Sequence, residues 1–243
     1  MPTFEQNGVS LYYEEYGSGF PLLLLAPGGM RSSIDFWHRT AAFDATRELA
    51  SEFRVIAMDQ RNAGKSVAPV RADDGWHVYT EDQLALLDHL GIQQCHVLGG
   101  CIGGAFALAL IQAAPTRVRA AVLQQPIGRS PDNRATFYKL FDDWAAEQKA
   151  GRHADVAAAA WESFREHMYG GDFVYSVPRD AVRGLATPLL VLMGNDIYHP
   201  SETSREIVQL AANAELVERW KDPDALVGTV AKVRAFLSEH TPR

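Results

Sequence analysis

Five short, predominantly apolar runs, separated by longer stretches of other character, constrain this sequence more than any other feature. They are Pro21 to Ala26, Phe53 to Met58, Cys95 to Leu98, Ala120 to Leu123 and Leu189 to Met193. Runs of this length without polar alternation read as strands buried on both faces, as in a parallel sheet between helical layers. Val9 to Tyr16 alternates like a half-buried strand, and Gly17-Ser18-Gly19 then turns the chain. Glu215 to Trp220 reads as the last strand and Pro223 to Ser238 as the last helix. Between the runs, Thr80 to Leu90 has helical spacing, with Thr80 as N-cap and Gly91 as stop. Ala105 to Ala113 reads as an apolar helix ending before Pro115. The alternation predicts an α/β protein with a mostly parallel sheet of eight or nearly eight strands, flanked by helices.

The rhythm breaks between about Ile127 and Arg183. That stretch is rich in Ala, aromatic and charged residues and holds no buried strand pattern. It is expected to be a small helical lid, 127–183, inserted into an α/β core made of 1–126 and 184–243. Phe137, Tyr138, Trp144, Trp161 and Tyr169 then suggest a mainly apolar pocket, with packing inside the lid as the alternative.

Composition removes several classes of function. The 243 residues carry 23 Lys and Arg against 30 Asp and Glu, a formal charge of −7. A nucleic-acid binder would need a basic surface to displace counterions. The start, Met-Pro-Thr-Phe-Glu-Gln, has neither basic nor apolar leader character. The longest apolar run, Leu22 to Pro27, is far short of the ~20 residues of a membrane span. Two cysteines, Cys95 and Cys101, make no disulfide framework and no zinc site. The expectation is a cytoplasmic protein with free thiols, a small-molecule substrate, no metal and no cofactor. Nothing in the sequence speaks to oligomeric state.

Gly99-Gly100-Cys101-Ile102-Gly103 fits Gly-x-nucleophile-x-Gly, with cysteine where serine is commoner. The motif lets a strand turn sharply into a helix while one side chain is held up in a strained conformation. The small residues on either side leave room for that turn. Here an apolar strand precedes it and an apolar helix follows. The helix N-terminus favours an anion, hence the thiolate. Cys95, in the preceding strand, reads as core.

On these residues the chain resembles the α/β-hydrolase superfamily, and three further blocks extend the resemblance over nearly its whole length. Ala26-Pro27-Gly28-Gly29-Met30 is similar to the His-Gly loop that helps build the oxyanion hole. Asp59-Gln60-Arg61-Asn62-Ala63-Gly64-Lys65-Ser66 is similar to the Asp-x-Arg-Gly-x-Gly-x-Ser signature, with Asn62 where Gly is usual. Gly194-Asn195-Asp196-Ile197-Tyr198-His199-Pro200 is similar to the block that supplies the acid. The resemblance implies Cys101 as nucleophile and Asp196 as acid. It also implies oxyanion or substrate contacts from Gly29, Met30, Ile102 and Gln125.

The family's base is a histidine in the loop before the final helix. Here the chain runs from Glu218-Arg219-Trp220-Lys221 directly into Asp222-Pro223, and that loop is deleted. His240 lies beyond the final helix and reads as a solvated tail residue. The remaining candidate is His199, three residues after Asp196, where an extended chain reaches at most ~10 Å. Capping of a turn before Pro200 is the alternative. His89 and His96 read as structural, and His153 and His167 belong to the lid. Gln124 and Gln125 end a strand on the site's side.

Three classes of function fit this pattern. The first is a cysteine-dependent hydrolase or acyl-transferase on a small ester, thioester or lactone. The second is a lyase or isomerase using Cys101 and Asp196 as acid and base. The third is a ligand-binding protein whose catalytic machinery has decayed.

Overall fold

In the computed structural model, which describes residues 2–242, the first half of the chain forms β1 (Thr3–Gln6), β2 (Val9–Tyr16), β3 (Phe20–Leu25), α1 (Asp35–Arg39), α2 (Ala45–Glu48), β4 (Phe53–Met58), α3 (Trp76–His89), β5 (Cys95–Gly100) and α4 (Ile102–Ala113). The second half forms β6 (Val118–Gln124), α5 (Arg134–Ala150), α6 (Ala158–Tyr169), α7 (Arg179–Arg183), β7 (Leu189–Leu192), α8 (Ser201–Leu210), β8 (Ala214–Val217) and α9 (Leu226–Glu239). A single 3-10 turn, Gly29–Arg31, follows β3.

All eight strands join one sheet in the order β1-β2-β4-β3-β5-β6-β7-β8. β1 and β2 pair antiparallel, as do β2 and β4, and every pair from β4 to β8 is parallel. The apolar runs explain this arrangement. Successive strand residues face opposite sides, so a strand without alternation needs cover on both. Leu23, Leu25, Val97, Leu123 and Val191 pack on one side with α3 and α4. Leu22, Leu24, Leu98, Val122 and Leu190 pack on the other with α9 and the segment around Trp37. Helix α4 is buried along Ile102 to Ile111, which is why it is apolar all round.

The expected strands lie where the apolar runs put them, and the sequence reading missed only β1 among the eight. Several boundaries are corrected: α4 begins at Ile102, not Ala105, α9 begins at Leu226, not Pro223, and β8 ends at Val217, not Trp220. Helix α3 begins at Trp76 behind Gly75, not at Thr80. Trp76, Val78 and Tyr79 are buried, and Thr80 Oγ1 donates inside the helix to Trp76 O at 3.3 Å. Core burial of that first turn outweighs the capping preference of a threonine.

Between β6 and β7 the chain forms α5, α6 and α7, and no strand among the described residues. Phe137, Trp144, Trp161 and Tyr169 are buried and pack on one another and on Phe141 and Phe164. Their large apolar surface forms the interior of these helices. Asn62 ties the same helices to the sheet. Its backbone is left-handed (φ 57°), which Asn tolerates better than most side chains. Its carbonyl accepts from Trp144 Nε1 at 3.2 Å. Its Oδ1 accepts from Ala68 N at 2.9 Å and lies 3.2 Å from His153 Nε2.

Candidate active site

The sheet order reverses direction at β3, whose neighbours are β4 and β5, and ligands in such sheets bind at the carboxyl ends beside that reversal. Cys101 stands there, between the end of β5 and the start of α4, at φ 57° and ψ −117°. A non-glycine residue in that region is strained. The flanking glycines make the turn possible. A Cβ on Gly99 would lie 2.1 Å from Gly103 O, and one on Gly103 would lie 2.0 Å from Leu25 O. Cys101 N donates to Gln124 O at 2.9 Å, and Cys101 O accepts from Gly104 N at 3.0 Å and Ile127 N at 3.3 Å. These bonds fix the elbow from β6 and from its own helix. The Cys101 side chain is half-buried, while Cys95 is fully buried and its thiol pKa is pushed up to about 12 by burial.

Asp196 and His199 lie in one turn after β7. Asp196 N donates to His199 O at 3.3 Å and His199 N to Asp196 O at 3.2 Å. Asp196 Oδ1 accepts from Tyr198 N at 2.9 Å and from His199 N at 3.0 Å. Its Oδ2 lies 2.9 Å from His199 Nδ1. One carboxylate therefore both caps the turn and orients the imidazole. Gly194 makes room for it: a Cβ there would meet His199 Cβ at 2.4 Å.

His199 is 7% exposed, and its Nε2 is buried without a well-formed hydrogen bond. Burial works against the imidazolium. The nearby Cys101 thiol and then the Asp196 carboxylate outweigh it and hold the His199 pKa above its ordinary value. Burial also works against the Asp196 carboxylate. The imidazole and the two amide donors overcome it and hold the Asp196 pKa below the usual range.

Cys101 and His199 line a cleft of about 470 Å3. Phe36, Ala41 and Ala42 form an apolar side, and Gln124, Gln125 and Lys221 a polar one. Phe137, Tyr138, Trp144, Trp161 and Tyr169 do not line it, which favours packing within the inserted helices over the reading as a pocket wall. Gln125 has a left-handed backbone (φ 42°) pinned by its N–H to Leu192 O at 2.7 Å. Pro27 and Gly28, not Gly29 and Met30, line the cleft. Gly29 and Met30 lie in the 3-10 turn, where the Met30 side chain is buried. Ile102 opens α4 with its side chain buried, so only its backbone is available to chemistry.

Other histidines have structural places. His89 stacks on Phe4 at 4.6 Å. His96 is buried between Phe20 and Phe53, and burial lowers its pKa to about 4. His240 is half-buried and stacks on Phe236 at 4.8 Å, so it is less solvated than its tail position suggests. Sequence reasoning assigned no role to Trp220, Lys221 or Gly194. Trp220 and Lys221 stand where the family's histidine loop would begin, and that deletion was the available signal.

A family model described as the alpha/beta hydrolase fold matches residues 21–168, more than half of the chain, and the chain belongs to this family. The chain is 35% identical over 229 residues to a 2-hydroxymuconate semialdehyde hydrolase of Pseudomonas putida, covering 83% of this chain and 79% of that protein. It is 35% identical over 126 residues to a putative carbamate hydrolase RutD of Azorhizobium caulinodans. That match covers 51% of this chain and less than half, 43%, of the relative. Among solved structures, the meta-cleavage product hydrolase CumD of Pseudomonas fluorescens IP01 superimposes with a TM-score of 0.72 over 99% of this chain and 98% of that one. At 20% identity this last likeness speaks to the fold alone. Among the described residues, no helix is long and apolar enough to cross a membrane.

Proposed function

We propose that the protein is a hydrolase or acyl-transferase acting on a small ester, thioester or lactone, with Cys101 as nucleophile, His199 as general base and acid, and Asp196 as the carboxylate that orients it. The observation that carries this reading is the position of His199, whose Nδ1 faces Asp196 while its ring shares a cleft with Cys101. Nucleophile, base and orienting acid in that sequence are what acyl transfer requires. The raised imidazole pKa supports His199 as the group that holds a proton beside Cys101.

The steps follow from these groups. The Cys101 thiolate attacks the substrate carbonyl and forms a tetrahedral oxyanion. The backbone N–H of Ile102, at the helix start, is the proposed first donor to it, and the loop after β3, where Gly28 lines the cleft and Gly29 and Met30 follow, is proposed to supply the second. Collapse expels the alkoxide or thiolate, which takes the proton from His199 Nε2 and leaves a thioester on Cys101. Water, or another acceptor, then attacks the thioester while His199 takes its proton. Collapse of the second tetrahedral species releases the acid and restores the thiolate and the imidazolium. Residues 127–183 are proposed to serve as the lid over this chemistry, and Gln125 to contact substrate.

The paired Asp196 and His199 favour catalysis over the reading as a decayed binding protein. The test is to mix the protein with 4-nitrophenyl acetate, quench in acid and weigh it. An acetyl group on Cys101, absent in Cys101→Ala, is the expected result. Turnover that survives in Cys101→Ala would overturn the assignment.

A further inference from the structure

Resting on the proposed acyl-transfer reading, the geometry points to Lys221 as the anchor for a carboxylate on the substrate, so that the preferred substrates are short acyl compounds bearing a negative charge. The argument starts with the deleted loop. Where the family carries its histidine, this chain places Trp220 and Lys221 at the edge of the cleft that holds Cys101. Their backbone is fixed. The Trp220 indole is buried and donates to Met193 O at 2.8 Å, and Thr229 Oγ1 donates to Trp220 O at 2.9 Å. Lys221 Nζ donates to Gln125 Oε1 at 3.2 Å, across the cleft wall from the end of β6. The ammonium is thereby directed along that wall.

The charge on Lys221 is uncompensated. The two acids that follow it, Asp222 and Asp224, are both engaged by Arg219 at 2.7 and 2.8 Å. Among the described residues no carboxylate pairs with Lys221, and none lines the cleft. Beside it, Gln124 is 3% exposed, and its Oε1 is buried without a partner. The chain as a whole carries −7 and repels anions, so a cation in the cleft that no carboxylate pairs sets the local preference. Phe36, Ala41 and Ala42, which line the same cleft, suit a short hydrocarbon linker between the charged end and the reacting carbonyl.

Two measurements test this, one of which does not depend on turnover. Iodoacetate and iodoacetamide are near-isosteres that alkylate the same thiolate with loss of iodide, and only the first is an anion. Lys221→Met should lower the ratio of the iodoacetate to the iodoacetamide rate at Cys101 by about fivefold, as expected for one charge at close range in a partly solvated site. Lys221→Arg should keep the ratio, and added salt should compress it in the wild type. In the second arm, mono-4-nitrophenyl adipate is compared with neutral 4-nitrophenyl hexanoate. The wild type should favour the adipate through KM, and Lys221→Met should erase that preference. An alkylation ratio unchanged in Lys221→Met would overturn the anchor whatever the esters do. If no ester turns over while the alkylation ratio falls as expected, the anion site stands and the hydrolytic reading fails.

Discussion

His199 and its acid partner belong to a single turn: Nδ1 of His199 lies 2.9 Å from Oδ2 of Asp196, three positions earlier in the chain. In the family pattern the acid and the base come from two loops. Here one turn carries both Asp196 and His199, so carboxylate and imidazole keep their mutual geometry even if the turn moves as a whole. What must then be controlled is the position of that turn relative to the elbow.

If His199 acts as proposed, replacing it by Ala removes the partner of the Cys101 thiolate. Alkylation of Cys101 by iodoacetamide at neutral pH should slow by about tenfold and recover as pH is raised. Activity on esters should fall by ~100-fold or more, because the leaving group then lacks a proton donor. Identical alkylation profiles for variant and wild type would remove His199 from the mechanism.

Asp196→Asn tests the pH dependence. The His199 pKa is held above its ordinary 6.5, so the imidazolium persists to higher pH than in a free histidine. Its stabilising contribution is complete below 6.5 and is lost as pH rises through the folded value. The Asp196 pKa is held below 3.8, so its contribution is present above 3.8 and is lost as pH falls through the folded value. The variant removes the carboxylate from His199. The basic limb of kcat/KM should therefore move to lower pH, with the plateau down by ~100-fold. A basic limb left in place would show that Asp196 does not act on the imidazole.

The fold was legible because its information is local. Leu22–Leu25 and Leu189–Leu192 carry no polar residue, and that alone demands cover on both faces of the sheet. The elbow was legible for a steric reason, since Gly99 and Gly103 admit no side chain beside Cys101. The contact of His199 with Asp196 was reachable because the two lie three positions apart on one loop. Of the polar lining, Gln124 and Gln125 were legible at the end of their strand and Lys221 was not. Lys221 meets Gln125 across 96 positions of sequence, and nothing local announces such a contact. The aromatics of the inserted helices left two readings open for a related reason: helical spacing places rings on one face without saying whether that face meets a cavity or another helix. Helix α3 began early because Trp76 and Tyr79 pack against Phe106, at 5.2 and 4.8 Å, from another helix.

Gly194→Ala tests whether the turn needs its tight approach to β7. The added Cβ would meet His199 Cβ and O, both at 2.4 Å, so backbone as well as side chain must give. Overpacking of this kind costs roughly 1–3 kcal/mol, read as a lower urea midpoint. The sharper expectation concerns chemistry. A displaced His199 should lower kcat/KM by ~100-fold and leave Cys101 alkylating as it does in His199→Ala. Wild-type kinetics in Gly194→Ala would show that the turn tolerates displacement.

Asn133 holds the same turn from the side of the inserted helices. The residue is fully buried. Its Nδ2 donates to Gly128 O at 2.8 Å and to Ile197 O at 3.0 Å, inside the acid–base turn. Its Oδ1 accepts from Ser130 N at 2.9 Å and from Tyr175 Oη at 3.3 Å. Asn133→Ala orphans these groups at a cost of about 1–3 kcal/mol, so a stability loss alone would not separate scaffold from positioning. Asn133→Asp does separate them. A carboxyl group keeps the acceptor for Ser130 and Tyr175 but has no N–H for Gly128 O or Ile197 O. If Asn133 positions the turn, Asn133→Asp should speed amide hydrogen exchange at Tyr198 and His199 and lower kcat more than it raises KM. Exchange elsewhere in β7 should stay slow, because Leu189 to Leu192 are bonded to strands on both sides. An unchanged exchange rate at His199 in Asn133→Asp would mean that Asp196 holds the turn alone, through its own two amide hydrogen bonds.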